Sequence, residues 1–153
     1  METLFEMRTE DDIRREAIAA NETAILNALC GKGPWNLSDR ERRLLEILRA
    51  KQGRNRAITI GELGERLKTT PREIKGDVRS MVVSFGLAIV ASRDGETGGY
   101  YFATTAEERV LGSQPYIQEA LALLERARII RNVADMRTLL GQLAMNLTEG
   151  EKL

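Results

Sequence analysis

Apolar and polar positions recur with helical period over most of this chain, and helix-start signals punctuate them. From about Thr9 to Cys30, Ile18, Ile25 and Leu29 share a stripe with Ala17, Ala24 and Ala28, which predicts a first helix. Thr9 can cap it, Glu10, Asp11 and Asp12 suit its positive end, and Gly31 stops it. After the break at Gly31-Lys32-Gly33-Pro34, Ser38-Asp39-Arg40-Glu41 forms a capping box. It opens a helix that runs to about Ala50 with Leu44, Leu45, Ile47 and Leu48 inward. Thr59-Ile60-Gly61-Glu62 starts a short helix with Leu63 and Leu67 inward. Thr70-Pro71-Arg72-Glu73 starts another, with Pro71 at the first helical position, and Gly86 supplies a left-handed stop after Phe85.

The period then changes. Leu87-Ala88-Ile89-Val90-Ala91 and Tyr100-Tyr101-Phe102-Ala103 read as two strands, joined by the turn-forming run Arg93 to Gly99 into a β-hairpin. Helical pattern returns with a fourth capping box, Thr105-Ala106-Glu107-Glu108. Pro115 is expected to separate this short piece from a longer helical segment carrying Ile117, Leu121 and Leu124. Asn132 is expected to divide that segment from Val133, Met136, Leu140, Leu143 and Leu147, whose 3-4-3-4 spacing is the seam of a helix that pairs with another helix. The expected organisation is an N-terminal helix and linker over 1–37, a central domain over 38–104 and a C-terminal helical segment over 105–153, which either serves dimerisation or covers the domain's own apolar surface together with the N-terminal helix.

Composition narrows the chemistry. The 153 residues include one cysteine and no histidine, so an internal disulfide, a cysteine-rich zinc site and every histidine-dependent triad are excluded. No apolar run approaches a membrane span, and the N-terminus lacks the order of a signal peptide, which leads to the expectation of a cytoplasmic protein. Lys+Arg and Asp+Glu number 23 each, but unevenly placed. Residues 1–30 carry 3 basic against 7 acidic residues, 31–104 carry 14 against 9, and 105–153 carry 6 against 7. Only the central piece, at +5, has a field that favours nucleic acid.

Within that piece the sign of charge is sorted. At 100° per residue, Ile74, Val78, Met81, Val82 and Phe85 fall in one arc of about 100°. Arg72, Lys75, Gly76, Arg79 and Val83 occupy a second arc centred roughly 135° away, with Glu73 and Asp77 outside it. The run ITIGELGERLKTTPREIKGDVRSMVVSFGLAIVAS, followed by GGYYFATT, resembles the winged helix-turn-helix modules of bacterial transcriptional regulators of the biotin-repressor type. That resemblance implies a mainly α fold with a small β-hairpin, flanked by N- and C-terminal helices. It also implies a helix over 71–85 that enters the DNA major groove and a hairpin wing over 87–103.

On that basis Arg72, Lys75 and Arg79 are candidates for base or phosphate contact, Thr69 and Thr70 for the phosphate backbone, and Arg93 for the wing contact. Arg54 and Arg56 are further backbone candidates or solvated loop charges, and Arg126, Arg128 and Arg131 are either a second phosphate patch or a face paired with Glu125. Tyr100, Tyr101 and Phe102 read more economically as hairpin core than as a stacking platform, Trp35 as a buried anchor, and Cys30 as a small apolar residue. The expected function is a DNA-binding regulator, a homodimer on double-stranded DNA, without catalytic residues, metal, cofactor or membrane. The alternatives are a protein-interaction module on the same fold, or a phage- or plasmid-type replication or partition accessory.

Overall fold

The computed structural model describes residues 8–93 and 98–150, and the chain falls into two compact units that divide after Gly112. Among the described residues there are six α-helices and one two-stranded antiparallel hairpin. The order is α1 (Glu10–Leu29), α2 (Asp39–Arg49), α3 (Ile60–Leu67), α4 (Pro71–Phe85), β1 (Ile89–Ser92), β2 (Gly99–Phe102), α5 (Ala106–Ile130) and α6 (Met136–Gly150). The protein is mainly α with a small hairpin, and no helix among the described residues is long and apolar enough to cross a membrane.

Local chemistry sets the helix starts. Thr9, Ser38 and Thr70 each accept a hydrogen bond from the third helical amide while the third residue's carboxylate, on Asp12, Glu41 or Glu73, accepts from the cap's own amide. Thr59 caps α3 by the side-chain bond to Glu62. At the other ends, Gly31 and Gly86 take positive φ values of 79° and 69°, which L side chains rarely adopt. Arginines of α2 serve two neighbouring helix C-termini: Arg42 donates to the Leu29 carbonyl at 3.0 Å and Arg43 to the Arg66 carbonyl at 3.2 Å.

The first unit has one core. Ile25 of α1, Leu44, Leu45 and Leu48 of α2, Leu63 of α3, and Ile74 and Met81 of α4 close on Phe102 of β2, each fully buried. Ile25 and Ala28 thus bring the segment expected as an N-terminal appendage into the same core as the central helices. Asn21, also buried, donates to the Gln52 side chain at 2.9 Å and to the Ala103 carbonyl at 3.0 Å, so its amide is satisfied.

The hairpin is held on both edges of β2. One edge pairs with β1 in the register Ile89↔Phe102, Val90↔Tyr101, Ala91↔Tyr100 and Ser92↔Gly99. Along the other edge, Ile58 and Tyr100 exchange both backbone bonds at 3.0 and 2.8 Å, and Phe102 donates to the Lys51 carbonyl at 2.7 Å. The close approach demands glycine at 99, where a Cβ would stand 2.2 Å from the Ile58 carbonyl oxygen. Both faces are covered too. Gly112 of α5 lies against Val90, so near that a Cβ would meet its side chain at 2.1 Å. Tyr101, the cross-strand partner of Val90, is therefore buried along with Phe102.

Three expectations need correction. Pro115 does not divide two helices but lies inside α5. Its fixed φ is compatible with a helix, and the loss is one amide that would have bonded the Leu111 carbonyl. Trp35 is not a buried anchor: it is 42 % exposed and meets Phe85 edge-on at 4.9 Å between ring centroids. Cys30 is not packed as an apolar residue but sits exposed at the end of α1. Residues 94–97 of the expected turn from Arg93 to Gly99 lie outside the described residues.

In the second unit, Asn132 takes φ +56° in the turn between α5 and α6, a conformation asparagine tolerates. Arg128 ties that turn down, donating to the Val133 and Ala134 carbonyls at 2.8 and 3.1 Å and to both Glu125 oxygens at 2.9 and 2.6 Å. Asp135 caps α6, accepting from the Thr138 amide at 2.8 Å, which lowers its carboxyl below the ordinary aspartate range.

Candidate nucleic-acid interface

The direction in which α4 points is set before it begins. α3 ends on Lys68, which takes φ +51°, and the Thr69 amide then donates to the Gly64 carbonyl at 3.2 Å. A Cβ on Gly64 would come within 3.2 Å of the Thr69 carbonyl, so the three-residue turn between α3 and α4 is tight. Thr70 then caps α4, and Ile74, Val78 and Met81 fasten its inner side to the core.

The outer side of α4 presents the sorted face. Arg72, Lys75, Gly76, Arg79 and Val83 are all exposed, and among the described residues none of the three cations forms a salt bridge. A Cβ on Gly76 would meet nothing within 4 Å, so the helix backbone there is open to close approach.

The two acids of α4 lie to one side of that face, where a residue of α2 binds them. Arg40 grips Asp77 with two hydrogen bonds, Nε to Oδ2 at 2.7 Å and Nη2 to Oδ1 at 3.0 Å, and reaches Glu73 from Nη1 at 3.3 Å. These bonds, those to Asp77 foremost, raise the Arg40 guanidinium above its ordinary value. The bidentate geometry is the strong form of an ion pair. Its consequence is electrostatic: of the two negative charges that share a helix with Arg72, Lys75 and Arg79, one is balanced by a cation from elsewhere. Nothing in the sequence signals this pairing, because the partners lie 33 and 37 residues apart and α2 carries three other arginines, Arg42, Arg43 and Arg49.

Thr69 and Thr70, expected at the phosphate backbone, have another role. Both hydroxyls donate to the Glu73 carboxylate, and the Thr70 amide donates to it at 3.1 Å. The Thr69 hydroxyl first, then the Thr70 amide and hydroxyl, pull the Glu73 carboxyl from the ordinary 4.5 to about 2. A carboxylate already occupies the positive end of α4, and Pro71 has no amide to offer. The two threonines therefore fix the start of α4, with both hydroxyls and the Thr70 amide committed to Glu73 and the Thr69 amide to Gly64.

The remaining candidates scatter. Arg93 is exposed directly after β1. Arg54 and Arg56 are exposed on a 3-10 turn, Arg54–Arg56, whose first amide donates to Glu108 at 3.1 Å. Tyr101 and Phe102 are buried and Tyr100 is half-buried, so the aromatic run is hairpin core and offers no stacking platform. Burial raises the Tyr101 phenol above its ordinary value. Arg128 is paired with Glu125, as one of the two readings of that cluster expected, while Arg126 and Arg131 are exposed.

Of the seam expected in the C-terminal segment, Val133, Met136 and Leu143 are half-buried, while Leu140 and Leu147 are exposed. Among the described residues of α6 the buried one is Leu139, at 1 % exposure, which the 3-4 spacing passes over. Among the described residues no group of three acidic or cysteine side chains is placed to hold a metal ion.

No known protein family, curated protein or solved structure matches this chain.

Proposed function

We propose that the protein is a DNA-binding regulator that uses a winged helix-turn-helix, with α4 as the helix that enters the major groove. The order α2, the extended residue Ile58, α3, tight turn, α4, β1, β2 supports the winged-helix reading. So does the position of β2 between Ile58 and β1, which ties the hairpin to the segment that precedes α3. The single observation that carries the function is the outward cationic face of α4, with Glu73 and Asp77 off its arc and bound there by Arg40. Three cations with a 1.5 Å rise per residue suit a groove lined with phosphates and guanine edges. Arg93 on the hairpin is the proposed wing contact.

The proposed unit of action is a homodimer. A twofold dimer of such modules binds half-sites about 34 Å apart, one helical turn of DNA. Selection of bound duplexes from a random pool tests both points, since it reads binding, specificity and half-site symmetry together. A recovered inverted repeat is the expected result. A pool that stays random through successive rounds at low salt would remove the DNA reading.

A protein-docking role is the second reading, favoured by the exposed apolar residues of the second unit, among them Leu140, Met145 and Leu147. A specific partner retained after nuclease treatment, and lost on Leu140→Asp but not on Arg79→Ala, would favour it over the first.

A further inference from the structure

The second unit spans residues 113–153, a length that seldom sustains a core alone. Leu139 is its buried large apolar residue among those described, and most of the others face solvent. On α5 they follow a pattern. Tyr116, Ala120, Leu123, Ala127 and Ile130 recur at spacings of 4, 3, 4 and 3, which places them within about 80° of arc on the helix. This is a heptad stripe, separate from that of Ile117, Leu121 and Leu124, whose centre lies roughly 105° away. Tyr116 is 68 % exposed, Leu123 55 % and Ile130 84 %. A heptad stripe of large apolar residues is the pattern that another helix covers, and here it stands open to solvent.

We infer that this stripe is the contact surface for a second copy of the chain, with the two α5 helices antiparallel. Side-chain size argues for it. Along the stripe one heptad position carries Tyr116, Leu123 and Ile130, and the other carries Ala120 and Ala127. About a twofold axis, Tyr116 meets the partner's Ala127 and Ala120 meets the partner's Leu123, so each large side chain finds a small one. Parallel helices would set Tyr116 on Tyr116 and Ala120 on Ala120, alternating overcrowding with voids.

Charge argues the same way. Glu119 and Arg126 flank one edge of the stripe, both exposed and, among the described residues, without a salt bridge. Antiparallel pairing sets Glu119 beside the partner's Arg126, and does so twice by symmetry. Parallel pairing would set Arg126 beside the partner's Arg131. The other edge carries Ile117, Leu124 and Arg131, of which the first two extend the apolar contact from each chain. This inference assigns the dimer of the reading above to α5 in place of the Leu140–Leu147 stripe of α6. It rests on that dimer and not on DNA.

Sedimentation equilibrium of the full chain at tens of micromolar tests it. The wild type is expected at twice the chain mass of 17.1 kDa, and Leu123→Asp at the chain mass. Glu119→Arg alone and Arg126→Glu alone should each weaken the dimer by about tenfold or more, since each sets like charges together at two places. An equimolar mixture of those two single variants should dimerise again, because only antiparallel partners regain both opposite-charge pairs. A monomeric wild type, a dimeric Leu123→Asp chain, or two single variants that do not rescue each other would overturn the inference. Dissociation by Leu147→Asp but not by Leu123→Asp would also overturn it, in favour of α6. Duplex binding read alongside keeps the two proposals apart: a monomer that binds duplex removes only this one, and a dimer that binds none removes only the DNA reading.

Discussion

The Arg40 guanidinium meets the Asp77 carboxylate through Nε and Nη2, joining α2 to α4 by two hydrogen bonds of 2.7 and 3.0 Å, with the Asp77 side chain only 13 % exposed. The pair fastens α4 to α2 on the side away from the outer cationic face. Replacing Arg40 by Met should lower stability by about 1–2 kcal/mol, less than a fully buried pair because Arg40 is itself 40 % exposed. Duplex affinity should fall too, although Arg40 is no proposed contact. Chemical denaturation of Arg40→Met beside Arg40→Met/Asp77→Leu checks this: the double variant should recover most of the stability, since the part-buried Asp77 carboxylate is no longer left unpaired.

The cationic face of α4 makes a prediction in salt. Four phosphate contacts, from Arg72, Lys75, Arg79 and Arg93, give a fall in affinity of about two decades between 50 and 200 mM salt. Removing one contacting cation by Arg72→Ala, Lys75→Ala or Arg79→Ala should cut the log–log slope by about 0.9. The same exposed substitutions should change stability by no more than about 0.5 kcal/mol. Fluorescence anisotropy across a salt series, with a melt for each variant, reads both. A slope that stays constant in all three variants would leave α4 without a part in binding.

The Glu73 cap makes a prediction in pH. Its carboxyl is lower in the folded chain, at about 2, than the ordinary 4.5. The folded state therefore holds fewer protons there, and the stability this confers is present above pH 4.5 and lost as pH falls toward 2. Glu73→Gln should flatten the melting-temperature profile within that window and leave it parallel to wild type above it. Thr70→Ala, which removes the cap itself, should cost about 0.5–2 kcal/mol at neutral pH.

Two glycines should respond in opposite directions. Gly99→Ala drives a Cβ into the Ile58 carbonyl and should destabilise the fold by about 2 kcal/mol or more, because β2 must part from the segment before α3. Gly76→Ala meets nothing and lies within α4, so it should raise stability by up to about 1 kcal/mol. If the face of α4 approaches a duplex closely at that point, the more stable variant should bind more weakly. Thermal melts and duplex titrations on the two proteins decide it.

Much of this protein is written in local terms. Caps at Thr9, Ser38, Thr59 and Thr70, the stops at Gly31 and Gly86, and the switch from helical to strand period at Leu87 place the first four helices and the hairpin within a residue or two. Each depends on a few neighbouring residues and their own backbone bonds, which a linear reading captures. The outward face of α4 belongs here too, because helical geometry alone turns Arg72, Lys75 and Arg79 away from Ile74 and Met81.

Other features exist only once distant residues meet. Arg40 could have faced any carboxylate, and packing of α2 on α4 chose Asp77. Trp35 is half-open because Phe85, and not the core, receives its edge, and Tyr101 is buried because Gly112 brings α5 down on Val90. Pro115 could stop a helix or ride inside one, and only the continuous α5 settles which. The open stripe from Tyr116 to Ile130 has the same period as any covered one, since spacing says that a helix wants a neighbour and not whether the fold provides it. Burial, pairing and exposure are properties of surfaces in three dimensions. The order of residues constrains which surfaces can form, and the folded arrangement selects which of them meet.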